Sequence, residues 1–501
     1  MEALRELVQL VTRNKLKSID VLDFAEDGSS RLGQLYTIIS EGGVETDQEA
    51  AEMLYPDSGS TSGYRKLKNK LRRKLINSLL LVDLNQASYS DRKSAYYQCY
   101  KEWAAVRILL AKNAWAQCVE IAERILKHSM RYEFTELTLD LLGILRLHYG
   151  TRLGDLKQFE KYKNLALEYE PVYMAENKAE LLYTELIVHY VNNKSTKTNL
   201  QKKAELALVE LSDSLRRFNS YRLHLYGGMI RLMISSTVNK HEDTIATCED
   251  LIEFFENKDY RAETPLQAAY YQKLVCHCQL RQFEPGKKAA EQCLDLIEGG
   301  TVNWFKYYEM YFILAMYTGN YKEALEVFYR VTQHKRFGYL PDSTKEVWLI
   351  YEAYLHFTVV AGLLNPSEEH AGIKSFRLGR FLNEAEIYSK DKSGMNVAII
   401  IFQIIYFMAK GQYGEVVEKS EAIQKYCTRY LKEDHTIRSY NFIRGLLTLA
   451  AAGDYDQEKR QKAETYKAKF MELEDKESGQ AFQIEIIPYE TLWDTVVNTA
   501  K

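Results

Sequence analysis

Seven cations crowd ten consecutive residues: Arg65, Lys66, Lys68, Lys70, Arg72, Arg73 and Lys74. Ammonium and guanidinium groups this dense can neutralise phosphates. Leu67, Leu71, Leu75 and Leu79 recur every four residues through the same stretch, which predicts a helix with a buried leucine stripe. At about 100° per residue, Lys66, Lys70 and Arg73 then face away from the leucines, with Arg65 and Arg72 beside them. One reading is a helix that meets nucleic-acid phosphates. The other is a solvated face, paired with acids such as Glu49 and Glu52 just upstream. The sequence favours the second: the turn before the helix exceeds the usual three to four residues of a helix-turn-helix, and no base-reading set stands out.

Other reactive side chains are dispersed. The seven cysteines are odd in number and irregularly spaced, as expected of free buried thiols in a reducing compartment. Cys276-His277-Cys278 is the one tight cluster, but successive side chains on a helix diverge, so the three do not converge on a metal. Glu368-Glu369-His370 reads as a polar loop and helix start. The chain has no Gly-rich phosphate loop, no Gly-x-Ser-x-Gly and no His-Glu-x-x-His. The expectation is no catalytic residue, no metal and no cofactor.

Aromatic residues are the second resource. The 37 tyrosines suit packing positions that stay partly wet. Trp304, Tyr307, Tyr308 and Tyr311 form the densest group and are candidate anchors for a partner, with two of the three tyrosines needed for the core.

These side chains must be carried by helices. Only 7 prolines occur in 501 residues. Net charge is −3 and the pI about 6.4, so no global drive toward nucleic acid or anionic membrane exists. The opening residues lack the long apolar core of a signal peptide, and the most apolar stretch, 396–408, is too short to span a bilayer. Within it Val397 to Phe402 are apolar all round, as in a helix packed between neighbours. The expected location is cytoplasmic.

Residues 1–94 read as a small helical module: a helix over 29–40, a second opening at the capping box Thr46-Asp47-Gln48-Glu49 and ending at Tyr55-Pro56, a polar turn over 57–63, the basic helix over 64–81, and a linker over 83–90. From about residue 95 a phrase repeats: helix, short polar turn, aromatic or apolar residue, second helix. Second helices are expected to open at Trp115, Leu156, Leu200, His241, Phe283, Tyr321, Tyr413 and Tyr455. The steps are 41, 44, 41, 42, 38, 92 and 42, with one degenerate unit inside the 92, its first helix over 346–364. Two helices per unit of about 42 residues mark an α-solenoid. The array runs over 95–475. Residues 476–501 form a tail: charged to 478, a short strand or extended segment over 482–488, then a helical turn over 489–498 capping the last repeat.

Gly319-Asn320-Tyr321, followed by Ala324 and Phe328, resembles the second half of a tetratricopeptide repeat. The match is partial: Trp304 takes the family's aromatic position loosely, Phe312 stands where the family has Gly or Ala, and the unit exceeds the family's 34 residues. The resemblance implies an all-α superhelical scaffold of about eight hairpins whose inner groove holds a peptide or protein segment. The leading expectation is therefore a non-catalytic scaffold or adaptor with a protein partner. Its rival is a nucleic-acid-linked regulator in which the first module binds DNA or RNA and the array senses a peptide or dimerises; an enzyme comes third. Whether Lys66, Lys70 and Arg73 are exposed on one face or buried discriminates the first two.

Overall fold

A computed structural model describes residues 4, 8, 30–41, 43–44, 46–56, 61–81, 91–192, 197–237, 239–367, 370–384, 394–431, 436–453, 456–473 and 485–499. Among the described residues the chain forms 21 α-helices and no strand. It divides into two compact units, 1–170 and 171–501, and the division falls inside one long helix at Pro171.

Among the described residues of the first unit, three helices share one core with Leu4 and Val8: α1 (Arg31–Ser40), α2 (Asp47–Leu54) and α3 (Thr61–Ser78). The Ser30 side chain accepts from the Gly33 N–H to start α1. Thr46 and Glu49 close the expected capping box on α2, whose last residue precedes Tyr55. The third helix starts earlier than the sequence suggests, taking in Ser62 and Gly63, and tightens to a 3-10 turn over Leu79–Leu81. The rest of that polar turn, 57–60, and the 83–90 linker lie outside the described residues. Leu71 and Leu75 are fully buried with Leu35, Tyr36 and Ala50. The unit continues with α4 (Asp91–Ala111), α5 (Trp115–Arg131) and α6 (Thr135–Leu147), each packed on the next, and with the first half of α7 (Leu156–Asn192).

One turn recurs between helices. At Asn113, Glu133, Asn239, Arg281, Gly319 and Gly411 the backbone is left-handed, with φ between 53° and 74°. Each left-handed N–H donates to the carbonyl three residues back, and the following N–H to the carbonyl five back, as Asn320 N to Ala315 O at 2.8 Å. This satisfies carbonyls that the ending helix leaves open. Two residues after each left-handed position a helix begins, at Trp115, Thr135, His241, Phe283, Tyr321 and Tyr413. Gly362 makes the same two bonds, but Asn365-Pro366 follow and no helix starts there.

In the second unit α8 (Lys197–Arg217) starts three residues before Leu200 and packs on α9 (Tyr221–Thr237). Then follow α10 (His241–Glu256), α11 (Glu263–Gln279), α12 (Phe283–Leu294), α13 (Val302–Tyr317), α14 (Tyr321–Thr332) and α15 (Asp342–Val360). The degenerate segment holds a 3-10 turn (Ala371–Ser375) and the short α16 (Leu378–Glu384). The unit ends with α17 (Met395–Ala409), α18 (Tyr413–Tyr430), α19 (Ile437–Ala452), α20 (Gln457–Glu472) and α21 (Tyr489–Thr499). Tyr455 lies outside the described residues. Helices pack mainly on sequence neighbours, and first helices also touch one another: α11 on α13, α15 on α17, α17 on α19. Apolar α17 is buried nearly all round by α15, α18, α19 and α21, the sandwiched position its composition asks for. No helix among the described residues is long and apolar enough to cross a membrane.

Candidate functional site

The aromatic group on α13 is committed mostly to packing. Trp304, Tyr308 and Tyr311 are buried, so they are not available as groove anchors; the first helix must fill the space between α12 and α14 with large side chains. Trp304 lies against Tyr308 and His334. Tyr311 donates to Glu323 of α14 at 2.5 Å, Lys287 of α12 reaches the same carboxylate at 3.0 Å, and Arg330 donates to the Tyr308 hydroxyl at 3.2 Å. Burial pushes the Glu323 carboxyl up, but the bonds from Tyr311 and Lys287 outweigh it and hold it below the usual range. Tyr307 is half-buried. It meets Tyr271 of α11 edge-on at 4.9 Å, with half-buried Val275 one turn along that helix.

Further along, the molecule has built a helix seat. Helix α21, expected to cap a last repeat, lies on α17 and α19. Tyr489, Leu492, Trp493 and Val496 are buried, at the i, i+3, i+4, i+7 spacing by which an amphipathic helix enters a groove. The Tyr489 ring stacks on Phe442 at 4.1 Å, and its hydroxyl pairs with Ser439 at 2.8 Å. Gly445 leaves room for the Trp493 ring; a Cβ there would stand 2.7 Å from it. Buried Arg438 bonds Glu485 and, at 3.2 Å, Glu490, which also pairs with Arg281 in the turn after α11. Residues 485–488, expected as part of a short strand or extended segment, are a buried lead-in without strand pairing, and 482–484 lie outside the described residues. This seat was missed in the sequence because its parts come from positions 281, 438–445 and 485–496.

On α3 the basic side chains divide. Lys68 pairs with Asp47 at 2.7 Å, beside the Tyr64 hydroxyl on the same carboxylate. Arg65, Lys66, Lys70, Arg72 and Arg73 are exposed, and none forms an ion pair among the described residues. The acids expected to balance them are used otherwise: Glu49 closes the capping box and Glu52 accepts from Gln48 at 3.0 Å.

All seven thiols are free and buried. Burial pushes Cys276 up to about 11 and Cys99, Cys293 and Cys427 to about 12, which disfavours thiolate chemistry. His277 is turned to Gln282 at 2.9 Å. His370 stacks on Tyr329, while Glu368 and Glu369 lie outside the described residues. Among the described residues no three His, Cys, Asp or Glu side chains are grouped to hold a metal. No family model matches the chain, and no curated protein or solved structure is significantly similar to it.

Proposed function

We propose that the chain is a non-catalytic scaffold, a tetratricopeptide-like helical array that holds an amphipathic helix of a partner protein against its first helices. The observation that carries this reading is the seat of α21. There the chain's own helix buries four anchors at i, i+3, i+4 and i+7, while flanking acids meet Arg438 and Arg281. The half-buried Tyr271, Val275 and Tyr307 on α11 and α13 leave a second, partly accessible apolar surface on first helices of the same unit. Tyrosines of this kind bring large contact area at low conformational cost. The recurring left-handed turn supports a repeated architecture, and the buried thiols fit a reducing cytoplasm.

Affinity capture with the full chain tests the reading. The wild type is compared with a Tyr271→Ala/Tyr307→Ala variant and with Lys462→Ala on exposed α20. A discrete set of proteins lost by the double variant and kept by the control is expected. Identical captured sets from all three would overturn the proposal.

A further inference from the structure

We infer that α3 is a DNA-binding helix that docks in the major groove of a B-form duplex. The inference is independent of the scaffold reading, which concerns the second unit. Thr61–Ser78 carries seven cations and no acid. Only Lys68 of the seven pairs with Asp47, and the five outermost are exposed with no ion pair among the described residues. A face that merely solubilised the module would be expected to use nearby Glu49 and Glu52, yet those acids bond Thr46 and Gln48.

The arrangement on the helix is specific. Lys66, Asn69 and Arg73 are three and four residues apart, so they form one row, opposite buried Leu71 and Leu75. Arg65 and Arg72 form a second row on one side, and Lys70 lies on the other. A helix about 10–12 Å across with its side chains fits a major groove about 12 Å wide. Asn and Arg can each present two hydrogen bonds to a purine edge, and the flanking cations then face the phosphates of the two groove walls. An A-form RNA duplex has a deep, narrow major groove that does not admit the helix. The leucine stripe and the Tyr64–Asp47 bond at 2.9 Å fix α3 on α1 and α2 with this face outward.

Fluorescence anisotropy of the full chain with a labelled DNA duplex is the test. Parallel arms use the matching RNA duplex and anionic phosphatidylserine vesicles. The expected result is binding to DNA at about micromolar or tighter near 150 mM salt, with a log–log salt slope of about −3 from the three phosphate-facing cations. Lys66→Glu/Lys70→Glu/Arg73→Glu should weaken binding at least about tenfold and flatten the slope, with an unchanged circular dichroism spectrum. If that variant misfolds, the milder Lys66→Gln/Lys70→Gln/Arg73→Gln replaces it. No DNA binding at low salt, binding indifferent to these changes, or equal binding to RNA or vesicles would each overturn the inference.

Discussion

Single residues decide whether the helices can turn. Gly319 takes φ 74°, and a Cβ added there meets nothing within 4 Å, so Gly319→Ala isolates the backbone cost of a left-handed alanine. That cost is about 1–2 kcal/mol. Chemical denaturation should show a loss of this size, and an unchanged midpoint would remove the turn from the argument. His356 is a second case. Burial disfavours its charged form, although its Nδ1 contacts the Ile373 carbonyl at 2.9 Å. Its folded pKa therefore lies below its unfolded value. The stabilising contribution is present above the unfolded value near 6.5 and is lost as pH falls through the folded one. Thermal unfolding of the wild type should drop between pH 7.5 and pH 5, and His356→Gln should reduce that drop. Equal drops would assign the pH dependence to other groups.

At the scale of the elements, much was legible and the reason is local. Helix starts at Trp115, His241, Phe283, Tyr321 and Tyr413 follow from a turn whose signals sit within three residues. The capping box at Thr46 was legible for the same reason. The turn before Thr135, where Glu133 takes the left-handed position, was not singled out. The fate of Trp304, Tyr308 and Tyr311 was hidden too, since side-chain identity does not tell a core aromatic from an anchor. The seat of α21 was the least legible, because Arg438, Glu485 and Arg281 meet only through tertiary packing. Two substitutions test it. Arg438→Met leaves Glu485 buried without its cation, which should destabilise the second unit by about 3–5 kcal/mol in denaturant melts. Gly445→Ala drives a methyl into the Trp493 ring, and hydrogen exchange in 489–499 should rise while α11 to α14 keep their protection. Unchanged exchange would mean that α21 does not rely on this contact.

On the scale of the molecule, helices pack mainly on their sequence neighbours, and the proposed scaffold would hold a foreign helix on first-helix surfaces. In a repeat array of the kind proposed, stability would be set largely by nearest neighbours. The claim stands or falls on contact at those surfaces. Site-specific photo-crosslinking in the full chain addresses it most directly, with a benzophenone side chain placed at Tyr307 and, as control, at Lys462. The account predicts a discrete adduct from Tyr307 that maps to an amphipathic helix of one partner, and none from Lys462. Adducts of equal yield at both positions, or none at Tyr307, would contradict it.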